Sequence, residues 1–334
     1  RVTDRLKHEA DGRGYLKPGF THIFVVPADG GTARQLSTGD FNHSGGLSWS
    51  PDGSYIYFSA NRNEDWEYDF RNSEVYRIGV ADGQIFALTS RQGPDSSPQV
   101  SPDGKTIAYR SYEDKVQAYQ VAGLYLMDNE GANQRLISGN LDRTISDFTW
   151  AADGKGLIIT YDDWGDTKVA YLSTDGKVRE ITGQLGGTSI GRPYPGGSFS
   201  VSKNGKIAFT HTTTSEPATL AVVPVAGGTP QLLTALNSDL LPYRALGKVE
   251  EVRYKSSFDQ RTIQGWIVKP PNYDPEQQYP LLVENHGGPI LNYGARFSAE
   301  MQLYAAAGYF GFSPMPDNDR RFGNLRIPDP HHGL

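Results

Sequence analysis

The sequence predicts a mainly β protein: an incomplete β-propeller of about four or five blades, each of four antiparallel strands, followed by the start of an α/β domain. Three observations predict it. One phrase recurs as Trp49-Ser50-Pro51-Asp52-Gly53, Val100-Ser101-Pro102-Asp103-Gly104, Trp150-Ala151-Ala152-Asp153-Gly154 and Val201-Ser202-Lys203-Asn204-Gly205, its Asp or Asn at steps of 51, 50 and 51. A strand-like run follows each copy, and a second hairpin lies between copies. After Leu246 the pattern changes to strand, loop and helix. A fixed period near 50, with a turn inside a strand pair, is the mark of propeller blades.

The phrase itself reads as a hairpin turn, because Asp-Gly and Asn-Gly tolerate the positive φ that tight turns require. The strands that follow it are Tyr55 to Ser59, Thr106 to Tyr109, Gly156 to Thr160 and Lys206 to Thr210. Outer hairpins pair His22–Val26 with Arg34–Leu36, Glu74–Ile78 with Phe86–Leu88, and Gly123–Met127 with Arg135–Ile137. Two more pair Val169–Leu172 with Val178–Ile181, and Ala218–Val222 with Gln231–Leu233. Turn dipeptides such as Asp29-Gly30, Asp82-Gly83 and Asp175-Gly176 join them. The first outer hairpin has only the irregular stretch Arg1 to Phe20 as an inner partner. An unclosed propeller leaves edge strands bare. The expectation is therefore that roughly two or three blades precede this chain; a complete small propeller is the alternative.

Beyond Leu246, Lys248–Tyr254 and Thr262–Lys269 flank a turn at Ser256 to Gln260. Tyr279 to Asn285 is a nearly continuous apolar run, suited to a strand buried on both faces. Phe297, Met301, Tyr304, Ala305 and Gly308 recur at helical spacing, with Gly308 placed as the C-cap. The expected domains are 1–246, the blades, and 247–334, the α/β part.

At 334 residues the chain suits two domains. A net charge of −6 without a basic cluster argues against nucleic acid as a partner. No apolar stretch approaches the roughly 20 residues of a membrane span. The absence of Cys excludes disulfides, thiol catalysis and thiolate metal sites, and leaves the compartment open. The chain opens at Arg1 with neither Met nor a signal-like segment, and reads as a mature or cut product.

Between the apolar run and the helix lies His286-Gly287-Gly288-Pro289. Glycines after a strand let backbone N–H groups approach a ligand closely. With the blade phrases, Tyr254 to Asp259, Gln264 to Pro270, Tyr279 to Val283 and Ala305 to Tyr309, the chain resembles the prolyl oligopeptidase family of serine peptidases. The likeness is to its acylaminoacyl-peptidase and dipeptidyl-peptidase branch. The blade phrase alone equally resembles TolB-type propellers. The resemblance implies a propeller capping an α/β-hydrolase domain and admitting short peptides, with no metal and no cofactor. It also implies that His286, Gly287, Gly288 and Pro289 form the oxyanion loop, and that the nucleophilic Ser, the Asp and the His follow in that order.

Only 25 residues follow Tyr309, against an α/β-hydrolase domain on the order of 200 residues. No nucleophile elbow stands in a strand–turn–helix setting, so this chain alone is expected to be inactive. The resemblance favours the bacterial periplasm or secretion, with the cytoplasm left open, and is compatible with a homo-oligomer. The alternative function is a TolB-like propeller acting as a protein-binding module.

Gly187-Thr188-Ser189-Ile190-Gly191 fits G-x-S-x-G by letter, but no buried strand precedes it and no amphipathic helix follows. It reads as a glycine-rich connector. His331-His332 sits in a Pro-flanked tail, and Asp162, Asp163 and Asp166 lack the ligand alternation of a calcium loop. Glu64-Asp65-Trp66-Glu67-Tyr68-Asp69 places four carboxylates and two aromatics in an inter-strand insertion. A solvated loop is one reading. The functional one gives Glu64, Asp65 and Glu67 to the cationic α-amine of a peptide substrate.

Overall fold

The structure, a computed structural model, describes residues 2–117, 119–285, 287 and 291–315. They fall into two compact units that part between Asn140 and Leu141.

The first unit begins with two small antiparallel hairpins, Glu9–Ala10 with Gly14–Tyr15 and Phe24–Val25 with Arg34–Gln35. Two four-stranded blades follow. One runs in order through Gly45–Trp49, Tyr55–Ala60, Glu74–Gly79 and Ile85–Ala87. The other comprises Asp95–Val100, Thr106–Ser111, Gly123–Asp128 and Arg135–Leu136. The outer hairpin at Phe24 has no inner strand pair in its sheet.

The second unit carries two more blades. The first is Ile145–Trp150, Gly156–Asp163, Asp166–Ser173 and Val178–Thr182. The next is Phe199–Val201, Lys206–His211, Thr219–Pro224 and Gln231–Leu232.

Each repeated phrase turns the first hairpin of its blade on a left-handed glycine, and the two Ser-Pro-Asp-Gly copies share one bond pattern. Ser50 Oγ donates to Asp52 Oδ1 at 2.6 Å, while Tyr55 N–H donates to Ser50 Oγ at 2.9 Å. In the next blade Ser101 Oγ donates to Asp103 Oδ1 at 2.6 Å and Thr106 N–H to Ser101 Oγ at 3.0 Å. The four turn glycines, Gly53, Gly104, Gly154 and Gly205, have φ of 73°, 75°, 65° and 74°. That left-handed conformation costs glycine nothing.

Strand alternation feeds two cores at once. In Tyr55–Ala60, Ile56 and Phe58 pack with Ile23, Leu36 and Ile78, whereas Tyr57 turns the other way to Val75, Ile107 and Met127. In the second unit Ile158, Val169, Ile207 and Phe209 form the equivalent inter-blade core. Successive side chains point to opposite faces, so strands sandwiched between blades read as apolar on both.

After these blades the architecture changes. Val249–Lys255 pairs antiparallel with Thr262–Val268, which pairs antiparallel with Phe310–Met315. Phe310–Met315 pairs parallel with Leu281–Val283, and the helix Ala299–Ala306 lies between them in sequence. This is a β-α-β unit joined to a hairpin. Ser298 Oγ caps the helix by accepting from Met301 N–H at 3.3 Å. At the other end Gly308 takes φ 88°, with Gly308 N–H on Ala305 O and Tyr309 N–H on Tyr304 O. That is a Schellman cap, as the Gly308 spacing predicts.

The strand Leu281–Val283 corrects one expectation. It is the terminal strand of its sheet, with Leu281 56% and Val283 51% exposed, rather than buried on both faces. The helix packs Met301 and Ala305 on Val268 and Met301 on Gly311 instead, leaving this strand paired on one side only.

Two outcomes test the turn. Ser101→Ala removes both hydroxyl bonds and should cost about 1 kcal/mol in urea unfolding. The Asp52 carboxyl is held at about 2 by the Ser50 hydroxyl first, then by the Ser54 hydroxyl and N–H. A depressed folded value gives stability that is present above the ordinary value of 3.8 and lost as pH falls through about 2. The melting temperature of Asp52→Asn should therefore fall less steeply than that of the wild type between those pH values.

Candidate active-site elements

In the first unit, the insertion after Tyr55–Ala60 folds back on itself as consecutive turns. Asp69 N–H donates to Asp65 O at 3.0 Å, and Asn61 Nδ2 donates to Asp69 O at 2.7 Å. Asn63 Nδ2 ties the insertion to Asn72 O at 3.0 Å. A cleft of about 250 Å³ opens here, lined by Glu64, Asp65 and Glu67 together with Asp4, Asp40 and Arg5. Trp66 and Tyr68 form part of its wall, with Phe20 set edge-on to Trp66 at 6.2 Å between ring centroids.

The three carboxylates singled out in the sequence thus share one cavity. Glu67 Oε1 is buried and accepts no hydrogen bond. A carboxylate oxygen in that state costs free energy unless a donor arrives. A cationic donor suits five carboxylates balanced by one arginine. Asp4 and Asp40 had no signal in the sequence, because they reach the cleft from loops far along the chain.

In the second unit the glycine-rich stretch follows Leu281–Val283. His286, Gly288 and Pro289 lie outside the described residues. Gly287 is exposed, and a Cβ built there meets nothing within 4 Å. Glu284, just ahead of the stretch, anchors through its N–H to Phe312 O at 2.9 Å.

A connector between blades contacts the chain before and after this stretch, at Glu284 and over residues 293–300. It contains the G-x-S-x-G match, and Ser189 Oγ accepts from Arg192 N–H at 3.3 Å. The strand Val178–Thr182 ends before it, and no helix opens after Gly191. Its carbonyls instead receive the helix: Ala299 N–H donates to Ile190 O at 2.9 Å and Glu300 N–H to Gly191 O at 3.2 Å. Arg192 then bridges two carboxylates, Nη1 to Glu284 Oε1 at 3.0 Å and Nε to Glu300 Oε2 at 2.9 Å.

The hairpin tip at Asp163–Asp166 also meets the α/β segment. Arg296, 6% exposed, donates through Nη2 to Thr167 Oγ1 at 2.6 Å and through Nη1 to Gly165 O at 3.3 Å. Asp163 pairs with Arg143 at 2.8 Å and Asp166 with Lys168 at 3.2 Å, so both are engaged as ion-pair partners. Among the described residues no group of three or more His, Cys, Asp or Glu side chains could hold a metal ion. His331 and His332 lie outside the described residues.

With the geometry in place, comparison with known proteins gives a consistent picture. The TolB beta propeller domain matches residues 15–193. Dipeptidyl-peptidase 5 of Porphyromonas gingivalis is 27% identical over 274 residues, which cover 80% of this chain and 38% of that protein. The uncharacterized peptidase YuxL of Bacillus subtilis is 26% identical over 319 residues, covering 91% of this chain and 47% of that one. An acylaminoacyl peptidase solved in complex with Z-Gly-Gly-Phe-chloromethyl ketone aligns at a TM-score of 0.75 and 20% identity. That alignment covers 96% of this chain and 47% of the solved one, and at such identity it speaks for the fold alone. The chain spans less than half the length of each. The predicted resemblance to dipeptidyl- and acylaminoacyl-peptidases is borne out by these relatives, and the β-propeller by fold and family alike.

One perturbed acid lies in the packing between the first two blades. Glu74 is raised to about 7, by burial first, opposed by the hydrogen bond from Thr89 and reinforced by the neighbouring Asp95 charge. Asp95 is fully buried and likewise raised by burial. Thr89 donates to Glu74, and Asp95 is tied through its backbone to Ser73, so the pair belongs to the packing between the two blades. A raised folded value gives stability that is full below 4.5 and lost as pH rises through about 7. Glu74→Gln should therefore raise the melting temperature at pH 8 relative to the wild type and lose that advantage at pH 4.

Proposed function

The chain belongs to the TolB beta propeller domain family, and from that premise we propose that it forms the propeller and opening α/β segment of a serine peptidase acting on short peptides with a free N-terminus. The observation that carries this reading is the carboxylate-lined cleft, with an unsatisfied Glu67 oxygen inside it. An α-ammonium group is cationic near neutral pH and supplies up to three donors, which suits such a cleft. Removal of blocked acyl residues requires no such acidic seat. The peptidase names of the relatives support the class, and the cleft supports the exopeptidase form.

In the full-length protein a Ser attacks the peptide carbonyl, a His carries the proton and an Asp orients the His. Backbone N–H groups in the stretch His286 to Pro289 stabilise the tetrahedral oxyanion, Gly288 first and Gly287 beside it. Glu64, Asp65 and Glu67 hold the substrate amine. Anchoring the amine sets how many residues separate the N-terminus from the scissile bond, which makes short fixed-length products the natural outcome. Among the described residues no serine stands at a strand-to-helix turn, which supports assigning the 334-residue chain no hydrolysis of its own.

Two measurements test this. In the full-length protein, Glu67→Gln should raise KM for free N-terminal peptides about tenfold, the value of a charged hydrogen bond, and leave acetylated peptides unaffected. Equal effects on both substrates would return the insertion to a solvated loop. The 334-residue chain should not label with an organophosphonate serine probe; stoichiometric labelling at Ser189 would reverse both the inactivity and the connector assignment.

A further inference from the structure

The connector that matches G-x-S-x-G by letter is built around one side chain that the proposed chemistry has not used. Arg192 stands between the two ends of the stretch that holds the glycines. Its Nη1 lies 3.0 Å from Glu284 Oε1, two residues ahead of His286, and its Nε lies 2.9 Å from Glu300 Oε2, in the first turn of the helix that follows. Glu300 is held a second time by Tyr304 OH, which donates to Oε1 at 2.9 Å. Around this clip the connector backbone pins the same chain: Gly294 N–H donates to Pro193 O at 3.1 Å, and Ser298 Oγ to Gly191 O at 2.8 Å. The Tyr194 and Tyr293 rings, 4.8 Å apart and edge-on, complete the contact.

We propose that Arg192 is a positioning residue: by holding Glu284 and Glu300 together it fixes where the chain enters and leaves the glycine-rich stretch, and through those two anchors it acts on the rate. The inference rests on the reading of this stretch as the oxyanion loop. Only a guanidinium meets the geometry, because its fork offers donors in two directions from one rigid plane. Lysine supplies the charge without the fork. The Arg192 side chain is 41% exposed, Glu284 14% and Glu300 29%. Pairs that exposed add little to global stability. A small displacement of a catalytic donor, in contrast, costs on the order of 100-fold in rate. The clip is therefore placed to affect rate far more than folding.

The test has two arms. In the 334-residue chain, Arg192→Ala should lower amide hydrogen-exchange protection across residues 282–300 about tenfold and leave the blades unchanged, with Arg192→Lys intermediate. Unchanged protection there overturns the proposal. In the full-length protein, Arg192→Ala should lower kcat at least about tenfold with KM within about twofold, and Arg192→Lys should recover part of the loss. An unchanged kcat, or losses in kcat and KM that track a fall in melting temperature, overturns it as well. Failure of the oxyanion reading has a separate signature. If Gly288→Pro retains wild-type kcat in the folded protein, the loop leaves the mechanism and the catalytic half of the proposal falls with it, whatever the exchange arm gives.

Discussion

The fold depends on a chain reversal that recurs in each of the four blades with a left-handed glycine at its tip. In the first blade the strand after the reversal feeds two cores, so a register slip of one residue would exchange their contents. Ile56 and Phe58 would trade places with Tyr57. In the two Ser-Pro-Asp-Gly copies the turn prevents this by satisfying its own backbone: the serine accepts the N–H five residues on, the aspartate accepts the N–H two residues on, and glycine takes the left-handed step. In the fourth blade Ser202 accepts the N–H of Lys206, four residues on. Where the serine is replaced by Ala151, Asp153 still accepts from Lys155 N–H at 3.0 Å. That blade also has the long hairpin Gly156–Asp163 with Asp166–Ser173, which pairs along its whole length.

The same hairpin joins blade to α/β segment. Its two extra residues at the tip, Trp164 and Gly165, take φ of 49° and 73°. A Cβ on Gly165 would sit 2.3 Å from the Trp266 ring and 3.3 Å from Gly294 Cα. Arg253 stacks over the Trp164 ring at 4.3 Å, and Arg296 is buried against the Gly165 carbonyl. A blade that ended at the usual length would leave the hairpin around Trp266 without this partner. The connector 187–196 adds the second seat, on the helix N-terminus, where its carbonyls take donors that a helix leaves orphaned.

Carboxylates show how much environment decides. Glu74 and Asp95 are buried at a seam between blades and are driven toward their neutral forms, with Thr89 donating to Glu74. Glu64, Asp65 and Glu67 line a cleft instead. Burial makes the first pair a feature of stability; access makes the second group available to a ligand.

Local chemistry was readable directly from the residues. The Asp-Gly and Asn-Gly turns, the paired outer strands at Glu74, Gly123 and Thr219, and the glycine stop at Gly308 depend on neighbours within a few positions, so the sequence by itself determined them. The grouping of Glu64, Asp65 and Glu67 was readable too, since one short insertion carries all three. Tertiary structure alone decided what converges from a distance. Asp4 and Asp40 joining that cleft, Arg192 reaching Glu284 and Glu300, and Arg296 entering the hairpin tip leave no periodic trace, because each contact spans many residues. The same holds for the strand Leu281–Val283. Its apolar run reads as fully buried, yet its exposure follows from the strand order of the sheet, and strand order is a property of pairing between segments that no local pattern encodes.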